Sequence, residues 1–232
     1  MRAETPIGRR LAEIDQRIRD ACRRSDRDPA GVTLVGVSKL QPLEQMQAAA
    51  AAGLRVFGES RVQEAQQKIP EMPLGLEWHL IGPLQSNKVK TAARLFDVFH
   101  ALDREKIIRL LDQEAGEQGR KLRGFLQVHL GEEESKHGFP AEGFADAVAG
   151  LAQLEHLEIL GLMAIPPYEQ DLELARGWFR RLRELREELS VRPEWRGWRG
   201  ALSMGMSHDF ETAIEEGATH VRVGTALFGE RP

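Results

Sequence analysis

Short apolar runs rich in β-branched residues alternate with longer amphipathic segments along the whole chain. The runs occupy residues 32–37, 55–57, 77–81, 97–101, 125–130, 157–165, 201–204 and 220–224. Their length, composition and flanking turn residues predict strands. Helical patterning fills residues 43–52, 61–68, 87–95, 104–118, 141–153, 172–189 and 209–216, and a further helix over 8–24 precedes the first strand. Within 172–189, Leu174, Trp178, Leu182, Leu185 and Leu189 recur as one apolar stripe with Arg and Glu on the other faces,. Regular alternation of strand and helix implies βαβ units and a parallel sheet. Eight such strands without a linker or low-complexity break predict an α/β fold. Its expected form is a single (β/α)8 TIM-type barrel with an extra N-terminal helix, one domain over 1–232.

Composition agrees and removes alternatives. The 232 residues are 41% hydrophobic and 29% charged, which suits a large core under a solvated surface,. A net charge of −4 gives no basic face for nucleic acid,. The one cysteine, Cys22, excludes an internal disulfide and a cysteine metal cluster and fits a reducing compartment,. No apolar leader opens the chain and no run of ~18 apolar residues occurs in it. The expected location is cytoplasmic, with no membrane partner.

Barrels of this kind place chemistry at the carboxyl ends of their strands. Lys39 follows the strand VTLVGVS and falls on the face of Val35 and Val37 by alternation,. A partly desolvated amine there can condense with an aldehyde, although a strand-end lysine can equally run out to solvent. The segments LSMGMS (202–207) and VRVGTALFG (221–229) follow the last two strands, where this fold often builds a phosphate site,. Gly205 and Gly224 allow close backbone approach, and Ser203, Ser207 and Thr225 supply hydroxyls. The same residues also suit ordinary turns, with Ser207 as a helix cap. In the last strand Val221 and Val223 share one face, so Arg222 takes the other and points into the barrel, toward a carboxylate or a ligand atom,. His79, mid-strand, reads as a hydrogen-bonded core residue. The indoles of RPEWRGWR (192–199) read as tucked into a solvated loop. No histidine spacing suggests a metal site.

Taken in order, SKLQP (38–42), FGESRVQEAQQK (57–68), WHLIGPLQSNK (78–88), SKHG (135–138), GLMAIPP (161–167) and LSMGMSHDFETAIEEGATHVRVGTALFG (202–229) closely resemble the pyridoxal phosphate homeostasis protein family. That family is similar to the alanine racemase N-terminal barrel. The resemblance implies pyridoxal 5'-phosphate held as a Schiff base on Lys39. It implies phosphate contacts from Ser203, Met204, Gly224 and Thr225, largely through backbone N–H groups. Arg222 is implied at the pyridine nitrogen, with His79 and Met163 lining the pocket. Ser60 stands where the family usually has Asn, so a contact to the ring hydroxyl from that side chain is open. His208 stands where a second Asp is usual and reads as a surface change.

An arginine opposite the ring nitrogen keeps it unprotonated and weakens the ring as an electron sink. The β-domain tyrosine of full racemases has no evident replacement, since Tyr168 is the only tyrosine and the chain ends at Pro232. The expected function is intracellular storage and transfer of the cofactor, without turnover, and with apo-enzymes as recipients. The alternatives are a weak amino-acid racemase and a barrel enzyme using another phosphorylated ligand. With no long apolar patch in the sequence, a monomer is expected.

Overall fold

The computed structural model describes residues 5–131 and 137–230. Ser135 and Lys136 of the SKHG motif lie outside them. All eight sequence-predicted strands are present. They are β1 (Thr33–Val37), β2 (Val56–Glu59), β3 (Glu77–Leu80), β4 (Val98–Leu102), β5 (Leu122–His129), β7 (Leu157–Met163), β8 (Ala201–Met206) and β9 (His220–Val223). A two-residue strand, β6 (Phe139–Pro140), pairs alongside the end of β5. The ring runs β4-β3-β2-β1-β9-β8-β7-β5 and closes because β4 also pairs with β5, every pairing parallel.

Around this ring lie α2 (Leu43–Ala52), α3 (Val62–Lys68), α4 (Val89–Leu95), α5 (Glu105–Glu117), α7 (Leu172–Ser190) and α8 (Phe210–Glu215). The extra helix α1 (Pro6–Arg24) begins as its sequence directs: Pro6 opens it and Thr5 Oγ1 accepts from Gly8 N at 3.1 Å,. It packs on α8, where Arg17 reaches Glu211 and Arg24 reaches Glu215, both at 2.6 Å. The Arg17 guanidinium also sits 4.5 Å above the Phe210 ring,.

Two sequence expectations need correction. The helix over 141–153 is one α turn, α6 (Phe144–Ala147), then a 3-10 turn (Ala149–Leu151). Gly143, in the left-handed region at φ 67°, and Gly150 interrupt the segment,. In α7 the buried stripe starts on Ala175 and Phe179 before joining Leu182, Leu185 and Leu189, while Leu174 is 57% exposed. Both stripes have helical spacing, and the small Ala175 lets the helix approach the sheet closely enough to bury Phe179.

Strand alternation divides the core in two. Val221 and Val223 join the large apolar layer between strands and helices. The barrel interior carries Val98, Ala101, Phe125, Leu160 and Met163. Across β1 and β9, Val35 lies opposite Arg222 and Leu34 opposite Val221, so Arg222 shares the inner face. Between β8 and β9 the register slips by one residue: Ser203 faces His220, but Met206 faces Arg222. Gly205, at φ 89°, absorbs this bulge, which re-aims the end of β8,.

Candidate functional site

The turn after β1 is held from several sides. Strand β1 ends at Val37, so alternation stops two residues short of Lys39, which stands in the turn beyond. Leu40, beside it, has φ 61°, a conformation that disfavours a branched side chain,. Ser38 Oγ donates to Glu59 Oε1 at 2.7 Å, and Lys68 Nζ donates to Ser38 O at 3.1 Å and to Glu64 Oε1 at 2.5 Å. Leu40 N donates to the same Glu64 oxygen at 2.7 Å. Glu59 is fully buried, and burial raises its pKa against the Ser38 hydrogen bond and the Lys68 charge. These contacts over-determine the backbone on both sides of Lys39 and sustain the unfavourable Leu40 conformation. The carboxylates and Lys68 all lie in FGESRVQEAQQK, but nothing in the sequence assigns them this work.

Across the barrel mouth, the loops after β8 and β9 meet beside the same turn. A Cβ at Gly224 would stand 3.4 Å from Val37 Cβ. The N–H groups of Gly224 and Ala226 converge on Ser207 Oγ at 3.2 and 3.3 Å. Ser207 is therefore no cap for its own helix, and Met206 N instead donates to Asp209 Oδ1 at 2.7 Å. Thr225 is exposed. Met204 packs outward in the helix-facing core, so only its backbone is available to the mouth.

Ser203 is elsewhere. It lies in register with His220, four residues before Gly224, or ~13 Å along the strand,. Its hydroxyl belongs to the interior, whereas Ser207, which the sequence offered both as a hydroxyl for a phosphate site and as a helix cap, lies beside Gly224. The bulge at Gly205 is the physical reason, because it turns the chain between the two serines.

The interior holds a continuous polar chain. Arg222 donates from Nη1 to Ser203 Oγ at 2.7 Å and from Nη2 to Ala164 O at 3.0 Å. Ser203 Oγ lies 2.7 Å from His100 Nδ1, His100 Nε2 lies 2.8 Å from His79 Nδ1, and His79 Nε2 lies 2.6 Å from Glu77 Oε1. His79, His100 and Ser203 are fully buried, Arg222 nearly so, and the Glu77 side chain is 37% exposed. Burial drives both imidazoles toward the neutral form and lowers the Arg222 pKa to about 10,. The hydrogen bond from His79, with Arg123 nearby, holds the Glu77 carboxyl at about 2. Among the described residues no carboxylate forms an ion pair with Arg222, whose hydrogen bonds go to a hydroxyl and a carbonyl. The Arg–Glu pair open to the sequence is thus absent from the described residues. His79 serves the interior chain, as a hydrogen-bonded core histidine.

Met163 is buried on the inner face beside Phe125. At the mouth, a cavity of about 330 Å³ is lined by Ile81, Ala101, Gln127, His129 and Tyr168. Ser60 is half-buried on an adjoining groove with Arg61, Lys88 and Arg104. Gly82 fixes the Ser60 loop, since a Cβ there would meet Ser60 O at 2.4 Å. His208 is exposed, its ring 5.5 Å from that of Tyr168. Trp195 is buried against Trp198, whose Nε1 donates to Ile159 O at 2.7 Å, as expected for tucked indoles. Among the described residues no cluster fit for a metal ion is found, and no helix is long and apolar enough to cross a membrane.

The chain that forms this closed parallel barrel matches the family model of the alanine racemase N-terminal domain over residues 10–232. Within that class the chain belongs to the pyridoxal phosphate homeostasis protein family. The protein of that name from Aquifex aeolicus is 43% identical over 223 residues, 96% of this chain and 97% of its own. The one from Pseudomonas aeruginosa is 43% identical over 226 residues, 97% of this chain and 96% of its own. Among solved structures, PipY of Synechococcus elongatus PCC7942 with PLP bound superposes with a TM-score of 0.80 at 40% identity, covering 93% of this chain and 100% of that one. Alanine racemase from Corynebacterium glutamicum, at 17% identity and a TM-score of 0.65 over 96% of this chain and 62% of that one, shares the fold.

Proposed function

We propose that this chain binds pyridoxal 5'-phosphate at the barrel mouth, through a Schiff base on Lys39, and serves the intracellular storage and transfer of that cofactor. The observation that carries the reading is Arg222: a buried guanidinium on the inner face, hydrogen-bonded to a hydroxyl and a carbonyl, with no carboxylate in ion-pair contact among the described residues. Burying such a charge is unfavourable unless a ligand acceptor completes it, and a pyridine nitrogen is such an acceptor. The second fit is the pair of N–H groups from Gly224 and Ala226, which converge on one hydroxyl oxygen and can turn to a phosphate oxygen,. The names of the relatives and the PLP in the PipY structure point to the same ligand.

Each residue then has a task. Lys39 would hold the cofactor through its amine, whose condensation with the aldehyde, losing water, is the chemistry the bound group would supply there. The Glu59–Lys68–Glu64 clamp presents Lys39 by fixing the backbone around it. Arg222 donates toward the ring nitrogen and disfavours its protonation, which weakens the electron-sink chemistry that the cofactor supplies when bound. Binding and release, without turnover, is the activity this favours, with apo-enzymes as recipients and the protein acting as a monomer.

Borohydride reduction followed by peptide mapping tests the assignment. A pyridoxyl adduct on Lys39 is expected, and an adduct on another lysine, or none, overturns it. Alanine incubated with the loaded protein in deuterated water should show little exchange at Cα. Exchange at a racemase rate replaces the carrier with the racemase reading.

A further inference from the structure

The polar chain inside the barrel has only one consistent arrangement of protons. Glu77 is ionised, so its oxygen accepts and His79 Nε2 must carry the hydrogen of their 2.6 Å contact. A neutral His79 protonated on Nε2 has only a lone pair on Nδ1. His100 Nε2 must then donate across the 2.8 Å contact between the rings. By the same step His100 Nδ1 is an acceptor and Ser203 Oγ–H donates to it at 2.7 Å. Ser203 has now used its one hydrogen and can only accept from Arg222 Nη1,. Each of the four links then has one donor and one acceptor, and every bond points from the cation at one end to the anion at the other.

Surrounding groups reinforce the direction. The His100 ring is 4.7 Å from Phe125 and 6.0 Å from His220, and His79 is 6.3 Å from His220. Burial disfavours a proton on each of the three imidazoles, and the Arg222 charge adds to this at His100 and His220,. Arg123, 3.4 Å from Glu77, and Asp97, which receives Trp78 N, are the other charged groups near the outer end. Asp209 is the carboxylate whose charge bears on Arg222.

We propose that Glu77, His79, His100 and Ser203 form a one-way hydrogen-bond relay that fixes Arg222 as a donor toward the ring nitrogen of the bound cofactor. The four are positioning residues, acting through Arg222 and reaching from the amino-terminal end of the barrel, where Glu77 opens β3. This rests on the cofactor assignment above, yet half of it can be read without cofactor.

Nitrogen-15 correlation spectra of the cofactor-free protein report the imidazole tautomers. His79 and His100 are expected as neutral Nε2–H forms at pH 7 and above, since burial lowers both below the ordinary imidazole value,. An Nδ1–H form at either ring, or an imidazolium near neutral pH, overturns the relay. Glu77 is part-exposed, so its variants should fold, and two of them divide charge from hydrogen bonding. Glu77→Gln keeps a carbonyl acceptor and should keep both tautomers, whereas Glu77→Leu should give mixed tautomers at His79. Loss of the single tautomer in neither variant overturns the directional argument. In the loaded protein, Glu77→Leu should shift the pH at which the cofactor absorbance changes, with Glu77→Gln close to the parent. Unchanged absorbance titration in Glu77→Leu, with PLP bound, overturns the link to the ring nitrogen. Failure of all three proteins to bind PLP instead overturns the cofactor assignment, and the tautomers then decide the relay alone.

Discussion

Arg222 donates to Ser203 Oγ at 2.7 Å within the barrel, and the nearest end of its hydrogen-bond chain to carry a negative charge is Glu77, two imidazoles away. Under the proposed function, Arg222 serves ligand binding and not stability. Replacing a buried ion with an apolar side chain of similar size is often neutral or stabilising. Arg222→Met is therefore expected to leave the melting temperature of the cofactor-free protein unchanged or raised. PLP affinity should fall by about 10- to 100-fold, the worth of one charged hydrogen bond. Thermal melts and equilibrium dialysis measure the two effects, and a large loss of stability with affinity intact contradicts the assignment.

Ser207 is the present partner of Gly224 N and Ala226 N. If those N–H groups serve a phosphate, Ser207→Ala should weaken PLP by about tenfold, one neutral hydrogen bond and its orientation. Pyridoxal, lacking the phosphate, should be affected much less. Dissociation constants for both ligands decide it; equal losses would put Ser207 outside the phosphate site.

Leu40 keeps φ at 61° while its side chain is 53% exposed. Leu40→Gly removes about 1–2 kcal/mol of backbone strain against the entropy of a freer unfolded chain, about 0.5–1 kcal/mol. A net stabilisation of about 0.5 kcal/mol in urea unfolding is expected. Glu64→Ala, which takes away the acceptor of Leu40 N, should destabilise by about 1–2 kcal/mol and slow the formation of the borohydride-trapped adduct.

Two fully buried imidazoles, His79 and His100, and a half-buried third, His220, make stability depend on acid. Burial lowers the pKa of His79 and His100, and brings His220 from 6.5 to about 3. Since the folded values lie below the unfolded ones, the unfolded chain binds more protons as pH falls below 6.5, and stability declines. Each imidazole contributes at most ~1.4 kcal/mol per pH unit. Glu77, whose folded pKa is depressed from 4.5 to about 2, adds stability above 4.5 that disappears as pH drops toward 2. His220→Met should flatten the decline between pH 6.5 and about 3. Chemical denaturation across that range measures it, and an unchanged slope contradicts the neutral state of His220.

Gly82 allows the Ser60 loop to pass close by, with its virtual Cβ 2.4 Å from Ser60 O. Gly82→Ala forces backbone apart and should cost about 1–3 kcal/mol, as overpacking does. Unfolding in urea reads this, and a stability equal to the parent would mean the loop moves aside freely.

Much of this architecture was legible from local patterning. The eight strands, the extra helix, the inward face of Arg222 and the outward face of Val221 follow from periods of two and 3.6, which act within a few residues. The sequence by itself therefore determined the βα order, the inward face of Arg222 and the loops that carry Lys39 and Gly224. It could not determine which residues meet across the barrel. His79 and His100 are separated by 21 residues and His100 and Ser203 by 103, so their contacts depend on closure and on strand register. A single bulge at Gly205 put Ser203 beside Arg222 and Ser207 beside Gly224, a placement that no alternation rule contains. The clamp on the Lys39 turn is likewise a meeting of β1, β2 and α3 in space. Hydrogen bonds over such separations are chosen by the packed whole, and only the tertiary structure decided them.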